Sequence, residues 1–298
     1  MFAARGLIPS RRTGPDCLRR PWPVTNIPQM PTLTNRLWNT SPASLTRALA
    51  RRWGRWTARP GWHRVQAGPL AGAELFFDSL RLPAWREMVA GTFDGFLHQA
   101  LEARIRLDGA VSWDVGAHFG YHTLALAAQG ARVVSFEPNA LNAARLRENL
   151  ARNPHLAARV HLRPEALSDR EGTLEFVQSA DLEETSSGSH LAAATPPAGE
   201  SAYERFQRVA VSCVCADALI ASGEPPPTVM KVDVEGAEVL VLEGARELLR
   251  RHKPLLLVEV HHIRLMFYLR PLLEGCGYRI ALVDEAHAEP SRCFLVAE

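Results

Sequence analysis

The sequence contains no run of about 18 consecutive apolar residues, so we expect no helix that crosses a bilayer. Its arginine-rich start is not followed by the apolar segment of a secretory signal. The five cysteines are scattered and form no C-x-x-C pair, which argues against a disulfide framework and favours a reducing, cytoplasmic environment. Lysine is almost absent, since only Lys231 and Lys253 occur among 34 basic residues. The formal net charge of +2 indicates no particular partner.

The charges are divided unevenly along the 298 residues. Residues 1–60 hold eleven arginines and one acid, Asp16, which gives a net charge of +10. Residues 61–298 hold the other 23 basic residues against 31 acids, which gives −8. This division argues against a uniformly basic nucleic-acid-binding body. We predict a basic, proline- and arginine-rich leader over residues 1–60 and a mildly acidic folded domain over residues 61–298.

The leader is predicted to be disordered, because proline interrupts it repeatedly. Leu45–Trp56 could form a short basic helix. Two functional alternatives therefore stay open for the leader. It could bind nucleic acid or a membrane surface, or it could be an organellar transit peptide, which is also arginine-rich and poor in acids.

The pattern from residue 61 onwards is that of an α/β domain. A hairpin formed by Val65–Pro69 and Glu74–Asp78, and a helix over Phe93–Ile105, are predicted for residues 61–109. Over residues 110–298, apolar strands alternate with amphipathic helices, which is typical of a mostly parallel sheet with helices on both faces. The predicted strands are Ala110–Val115, Arg132–Glu137, Val160–Arg163, Thr173–Val177, Arg208–Cys215, Val229–Val234, Leu255–Val260, Tyr278–Val283 and Cys293–Ala297. The predicted helices are Tyr121–Gln129, Leu141–Arg152, Ala237–Arg250 and Arg264–Glu274. The closing strand pair predicts an antiparallel edge, and residues 179–204 are predicted to form a long loop.

The most informative segment is 111–123, V-S-W-D-V-G-A-H-F-G-Y-H-T, in which a strand runs through glycines into a helix. In such sheets, ligands bind at the carboxyl ends of the strands. Gly116 and Gly120 would let a ligand approach the backbone without meeting a Cβ atom. The second strand ends in Glu137, 21 residues after Gly116. An acid at this position can accept hydrogen bonds from both hydroxyls of a ribose.

The charge pattern favours S-adenosylmethionine (SAM) over NAD as the cofactor. The glycine spacing is G-x-x-x-G, which is a poor match to the dinucleotide fingerprint G-x-G-x-x-G. Asp114 precedes the glycines, where a dinucleotide would place its pyrophosphate, and like charges repel. An ammonium group is suited to this position, and SAM carries both an ammonium and a sulfonium group. The alternatives are an NAD-dependent oxidoreductase, or Asp114 and Glu137 as ordinary surface acids.

A second group of acids follows two other strands. Asp233 ends the strand that starts at Val229, and Glu235 and Glu238 follow near a helix start, where either could merely cap the helix. Glu259 ends a further strand and is followed by His261. Asp233, Glu235, Glu259 and His261 could together line one cleft and serve as a general base or bind a divalent cation.

These segments resemble the FkbM family of SAM-dependent methyltransferases over about residues 90–283. The resemblance is carried by five segments, 114–122 (D-V-G-A-H-F-G-Y-H), 136–139 (F-E-P-N), 166–172 (A-L-S-D-R-E-G), 231–238 (K-V-D-V-E-G-A-E) and 258–259 (V-E). The D-V-E-G-x-E element is the most specific of them. The resemblance implies a class I methyltransferase fold, which is a Rossmann-like, doubly wound, seven-stranded, mostly parallel sheet with an antiparallel edge strand. It also implies O-methylation of a hydroxyl on a sugar, glycolipid or secondary metabolite.

The resemblance also implies roles for individual residues. Asp114, Gly116 and Glu137 would hold SAM, and Asp233 and Glu235 would face the acceptor. His118 stands where the family usually has Asn, and Glu165 stands where a small or amide residue is common. The cofactor-binding residues that we predict are Asp114, Gly116, His118, Gly120, Glu137, Asn139 and Glu165. We assign no metal ligand.

The predicted chemistry is an in-line transfer of a methyl group from SAM. A hydroxyl nucleophile must also lose its proton, which a positioned base accelerates. Asp233 is the first candidate for the base or for a polar anchor, with Glu235 and His261 as alternatives. The expected partner is a small-molecule, glycan or lipid-linked acceptor with a free hydroxyl. The alternative functions are a non-catalytic module with a SAM-binding fold and an NAD-dependent oxidoreductase.

Overall fold

The computed structural model describes residues 60–78, 82–179, 189–192, 206–283 and 293–298. The predicted leader, apart from its last residue, lies outside the described residues, as does most of the predicted loop 179–204. No helix within the described part of the chain is long and apolar enough to cross a membrane.

The N-terminal part consists of two strands and two helices: β1 (Gly61–Arg64), β2 (Glu74–Phe77), α1 (Pro83–Ala90) and α2 (Gly95–Glu102). β1 and β2 form an antiparallel hairpin in which Gly61 lies opposite Phe77. The prediction of a strand over Val65–Pro69 was therefore wrong. Gly68 has a φ of +69°, and a Cβ atom there would lie 2.5 Å from the carbonyl oxygen of Gly91, so this segment is a turn packed against the end of α1.

The central sheet has seven strands in the order β12–β13–β11–β10–β3–β4–β5. These are β3 (Val111–Val115), β4 (Arg132–Phe136), β5 (Val160–Arg163), β10 (Val229–Val232), β11 (Leu255–Glu259), β12 (Ile280–Leu282) and β13 (Phe294–Ala297). β3 lies in parallel between β10 and β4. The expected antiparallel strand is β13, which is inserted between β11 and the edge strand β12 and runs antiparallel to both. The doubly wound, mostly parallel sheet is confirmed.

Helices cover both faces of this sheet. They are α3 (Tyr121–Ala128), α4 (Ala140–Arg152), α5 (Pro154–Ala157), α6 (Ala216–Ala221), α7 (Glu238–Glu243), α8 (Arg246–His252) and α9 (Met266–Gly275). One apolar layer contains Phe77, Leu124 and Leu146, and the layer on the opposite face contains Val241 and Leu269. The central strands therefore lie between two apolar layers, as the continuous apolar runs of these strands predict.

The single helix expected over Ala237–Arg250 is interrupted. α7 ends at Glu243 and α8 begins at Arg246. A Cβ atom on Gly244 would lie 1.9 Å from the carbonyl oxygen of Ser168, so only glycine permits this close backbone approach. The break brings the end of α7 against the backbone of Ser168.

A second sheet is inserted between β5 and β10. It has the order β6–β9–β7–β8, formed by β6 (Ala166–Leu167), β7 (Gly172–Ser179), β8 (His190–Leu191) and β9 (Phe206–Val214). Leu191 pairs with Phe176 of β7, and both side chains are buried. The prediction of a loop over 179–204 was therefore wrong at residues 190–191, where burial of one apolar side chain fixes a short strand.

Candidate active site

A row of polar side chains crosses the sheet where β3, β4 and β10 end. The register places Lys231 beside Asp114, and Asp114 beside Ser135. Alternate residues of a strand point to opposite faces, so all three lie on the face covered by α3. Asp114 is fully buried, and its Oδ2 accepts a 2.6 Å hydrogen bond from Thr123 of α3. Lys231 Nζ lies 3.4 Å from Asp114 Oδ1 and donates to Asp233 Oδ2 at 3.1 Å.

Lys231 begins the segment 231–238, but no role at the site was predicted for it from the sequence. Burial lowers the pKa of its ammonium group, but the carboxylates of Asp233 and Asp114 outweigh burial and raise that pKa above its ordinary value. Lys231 is therefore a permanent cation. The Asp114 carboxylate, which we expected to attract the cofactor's ammonium group, already faces this cation. A lysine inside an apolar strand was the available signal, because a buried charge requires a partner.

Gly116 directly follows β3 and packs against the backbone at the end of β10. It has a φ of +82°, and a Cβ atom there would lie 1.8 Å from the carbonyl oxygen of Asp233. Gly120 has a φ of +96° and packs against Leu146 of α4, since a Cβ atom at this glycine would lie 2.1 Å from Leu146 Cδ1. The two glycines therefore permit close packing of the turn against its neighbours, which is a structural requirement in addition to the expected approach of a ligand.

Glu137 follows β4 and is almost completely buried. Its Oε2 accepts a hydrogen bond from the His118 backbone N–H at 2.7 Å, and its Oε1 accepts one from the Asn139 N–H at 2.9 Å. Burial raises the pKa of the Glu137 carboxyl to about 7, although these hydrogen bonds lower it. A carboxylate held in this way can still accept further hydrogen bonds, since each oxygen has two lone pairs.

A first cavity lies beside Glu137. Its walls are partly apolar, formed by residues that include Leu167, Phe176 and Leu191. Its polar lining includes His118, Glu137, Glu165, Asp233 and Glu235. With Gly116, six of the predicted site residues therefore face one space, and we call it the adenosine cavity after the part of the cofactor that the sequence predicts beside Glu137.

Asn139 and Glu165 have identified protein partners. Asn139 is the N-cap of α4, where its Oδ1 accepts hydrogen bonds from the N–H groups of Leu141 and Asn142 at 2.9 and 3.1 Å. Glu165 accepts a 2.9 Å hydrogen bond from Arg163 Nε. Asn139 thus positions the helix next to Glu137, whereas Glu165 lies at the cavity wall.

His261 is enclosed by carboxylates. Its Nδ1 donates to Glu238 Oε1 at 2.6 Å, and its Nε2 lies 3.4 Å from Glu235 Oε2 and 3.5 Å from Asp233 Oδ1. Burial lowers the pKa of His261, but the Glu238 hydrogen bond and the charges of Asp233 and Glu235 raise it to about 10. His261 is thus a cation at neutral pH. Glu238 is fully buried and orients the imidazole, so its role extends beyond capping α7.

The two acids expected to act on the acceptor have opposite pKa shifts. Burial raises the pKa of Asp233, but Lys231 and His261 outweigh it and lower the pKa to about 2. Burial raises the pKa of Glu235 to about 8, and the nearby carboxylates add to this rise although His261 opposes it. Glu235 also has a φ of +52°. Asp233 is therefore a fixed anion, and Glu235 holds a proton at neutral pH.

Asp233, Glu259 and His261 place potential metal-ligand atoms within 4.8 Å of one another. His261 already supplies a positive charge to these carboxylates. We therefore assign no metal to this group.

A second and larger cavity, of about 1080 Å³, lies on the other side of the same residues. Its lining combines rings with polar groups: Trp85, Phe93, Phe96, Phe119, Tyr121, His122, Lys231, Asp233, Glu235, Glu259 and His261 are among its residues. Gly116, His118, Asp233 and Glu235 line both cavities. The two spaces therefore meet at the ends of β3 and β10, and we call the larger one the acceptor cavity after the partner that the sequence predicts.

The strand order, the glycine turn after β3 and the acid after β4 define the class I methyltransferase type of Rossmann-like fold. Comparison with protein families matches residues 114–280 to the methyltransferase FkbM domain. The chain belongs to this family.

One curated relative is the hexuronic acid methyltransferase AglP of Haloferax volcanii, which is 32% identical over 152 residues. The match covers 51% of this chain and 56% of that protein, so the chain spans about half the length of the curated relative it matches. Among solved structures, the FkbM methyltransferase of Methylobacillus flagellatus KT matches with a TM-score of 0.47 and 20% identity, over 64% of this chain and 44% of that one. Precorrin-6y C5,15-methyltransferase of Geobacter metallireducens GS-15 matches with a TM-score of 0.42 and 12% identity, over 71% and 90%.

Proposed function

We propose that this chain transfers a methyl group from SAM to a hydroxyl oxygen of a sugar, with a hexuronic acid as the first acceptor to test. The observation that supports this most directly is the meeting of two cavities at His118, Asp233 and Glu235. A donor in one cavity would face an acceptor in the other, and such alignment is the main requirement of an in-line displacement. Membership of the FkbM family and the hexuronic acid methyltransferase relative support the reaction and the acceptor class.

The residues of the adenosine cavity fit SAM. Glu137 can accept the ribose hydroxyls, and the apolar walls at Leu167 and Phe176 suit the adenine ring. Asp114 Oδ1 lies 3.4 Å from Lys231 Nζ but accepts no hydrogen bond from the described residues, so it can still accept one from the methionine part of SAM. When bound, SAM supplies a methyl group that is already activated by its sulfonium.

The electrostatics around the meeting point also favour a cationic donor. Acids outnumber the cations Lys231 and His261 there, and Asp233 is held as an anion. A sulfonium is attracted by this surplus, whereas the phosphates of a dinucleotide are repelled. The wider group of acids, and not Asp114 alone, therefore favours a cationic cofactor.

The acceptor cavity is suited to a ring with several hydroxyl groups. Its aromatic side chains can pack against the apolar face of a sugar, and its carboxylates can accept hydrogen bonds from hydroxyls. Lys231 and the charged His261 are the groups that could pair with a sugar carboxylate. We assign Asp233 the role of an anchor for the acceptor, because an acid with a pKa of about 2 is a weak base.

The test combines binding with product analysis. Calorimetry of the full chain with SAM should show binding, and Glu137→Ala should weaken it. Incubation with methyl-labelled SAM and either glucuronic or galacturonic acid should give a labelled methyl ether of that uronic acid, and glucose is the control acceptor that lacks a carboxylate. Absence of SAM binding would overturn the proposed activity. A label found only as a carboxyl ester would overturn the assignment of a hydroxyl nucleophile.

A further inference from the structure

Asp94 and His122 form a pair on the wall of the acceptor cavity. Asp94 Oδ2 lies 3.1 Å from His122 Nε2, and both residues line this cavity. Asp94 precedes α2 as its N-cap, but its side chain makes no cap hydrogen bond to that helix. Its φ is +49°, which is uncommon for a residue other than glycine. Asp94 thus directs its carboxylate to His122, 28 positions further along the chain, instead of capping α2.

The His122 ring is held from several sides. Phe93 and His98 each lie with ring centroids 5.9 Å from it, and Asp94 binds Nε2. The other ring nitrogen, Nδ1, has no hydrogen-bond partner among the residues that the structure describes. This nitrogen is also not fully buried. The pair therefore presents one open nitrogen of a fixed imidazole to the acceptor cavity.

The neighbouring ionisable groups suit His122 as a proton acceptor. Burial lowers the pKa of His98 to about 4, so this imidazole stays neutral beside a His122 that gains a proton. Burial and the charge of Asp94 raise the pKa of Tyr121 to about 12, so its phenol stays protonated. Asp233 lies near enough for the charge of His122 to act on its pKa.

The three groups suggested by the sequence are poorly suited to this role. His261 is a cation that already carries a proton on each nitrogen, and Asp233 is an anion paired with Lys231. Glu235 holds a proton at neutral pH. A different base is therefore needed if the nucleophile is a hydroxyl.

We propose that His122 is the catalytic base of the transfer and that Asp94 is the residue that positions it. In this step, the acceptor oxygen forms a bond to the methyl carbon while the bond from that carbon to sulfur breaks and leaves its electron pair on sulfur. The hydroxyl proton moves to His122 Nδ1, and Asp94 accepts the Nε2–H hydrogen bond of the resulting imidazolium. The products are the methyl ether, S-adenosylhomocysteine and one proton on the enzyme. This inference rests on the proposed function and adds the nature of the nucleophile, since a carboxylate acceptor would need no base.

The kinetic test uses the full chain, methyl-labelled SAM and glucuronic or galacturonic acid. His122→Asn should lower kcat by about 10²–10⁴-fold, the range for a general base, while the affinity for SAM is retained. Asp94→Asn should lower kcat with KM little changed, and Asp94→Glu should restore part of it. Added imidazole should restore turnover to His122→Ala but not to Asp233→Asn. His252→Asn, at an exposed position on α8, is the matched control and should behave as the wild type.

A second measurement does not depend on turnover. Nitrogen-15 NMR of the full chain with S-adenosylhomocysteine, assigned by the difference from His122→Asn, should show neutral His122 with its proton on Nε2 and none on Nδ1. Absence of SAM binding by the wild type would overturn the proposed function. SAM binding with unchanged kcat in a folded His122→Asn variant, or a proton on Nδ1 in the neutral ring, would overturn the assignment of His122 alone.

Discussion

Lys231 Nζ lies 3.4 Å from Asp114 Oδ1, and the two residues occupy paired positions on the parallel strands β10 and β3. Both side chains are almost completely removed from solvent, at 7% and 0% exposure. This ion pair lies next to the turn at Gly116, which lines both cavities. It links β3, which leads into the glycine turn, to β10, which is followed by Asp233.

The first prediction concerns this ion pair. Lys231→Met leaves the Asp114 carboxylate buried without its cation, so the free energy of unfolding should fall by about 3–5 kcal/mol. Chemical denaturation measures this loss. Lys253→Met is the matched control, because it is the only other lysine and its ammonium donates to the Cys276 carbonyl rather than to a buried acid. The double variant Lys231→Met/Asp114→Asn should recover much of the stability, and a loss no larger than that of Lys253→Met would contradict the assignment.

The second prediction concerns the glycine turn. Gly116→Ala places a Cβ atom 1.8 Å from the Asp233 carbonyl oxygen, so the turn or the end of β10 must move. Gly109 also has a positive φ, of +76°, but a Cβ atom there meets nothing within 4 Å. Gly109→Ala should therefore cost only the left-handed backbone strain of about 1–2 kcal/mol. Gly116→Ala should cost more and abolish SAM binding, as thermal unfolding and calorimetry can show. Equal melting temperatures of the two variants would rule out this explanation.

The third prediction concerns pH and His261. The pKa of His261 is raised from 6.5 in the unfolded chain to about 10 in the fold. The proton on His261 therefore stabilises the folded state, and this contribution to the free energy of unfolding is fully present below pH 6.5. The contribution is lost as the pH rises through 10. The pKa of Glu235 is raised from 4.5 to about 8, so this group also lowers the free energy of unfolding as the pH rises, over a lower pH range than His261. Denaturation of the wild type between pH 6.5 and 10 should show this decline.

The matched variant for that measurement is His261→Asn. It should be less stable than the wild type near pH 6.5, because the carboxylates of Asp233, Glu238 and Glu259 lose their shared cation, and its stability should change less with pH. His252→Asn should keep the wild-type decline, since its side chain is exposed. A His261→Asn protein that declines as steeply as the wild type would show that another group is responsible.

The fourth prediction links Glu137 to the cofactor. Its pKa of about 7 means that the carboxyl holds a proton in slightly acid solution. Ribose hydroxyls donate to the ionised form, so SAM binding should release that proton. The affinity should therefore increase as the pH rises towards 7, by up to about tenfold for each pH unit. Calorimetry in two buffers of different ionisation enthalpy measures the proton release, which Glu137→Gln should abolish. A wild-type affinity independent of pH would argue against a contact between Glu137 and the ribose.

Much of the domain could be predicted from local patterns. The apolar runs at 111–115, 229–232 and 255–259 and the helices after them depend on periodicity and on turn glycines, which act within a few residues. For the same reason the sequence placed Asp114, Glu137 and Asp233 at strand ends. Gly244 and Leu191 could not be placed in this way, because the helix break and the short strand depend on contacts with Ser168 and Phe176, which are distant along the chain.

The sequence by itself determined the α/β class, the family and the acids that follow the strand ends. Only the tertiary structure decided how those acids are paired and charged. The register pairs Lys231 with Asp114, and the fold encloses His261 among carboxylates, so the charges of these groups depend on neighbours brought together by packing. The Asp94–His122 pair likewise exists only because α2 and α3 meet at the acceptor cavity. Local propensity sets where each element starts and ends, whereas burial and proximity across the fold set the protonation state of each side chain.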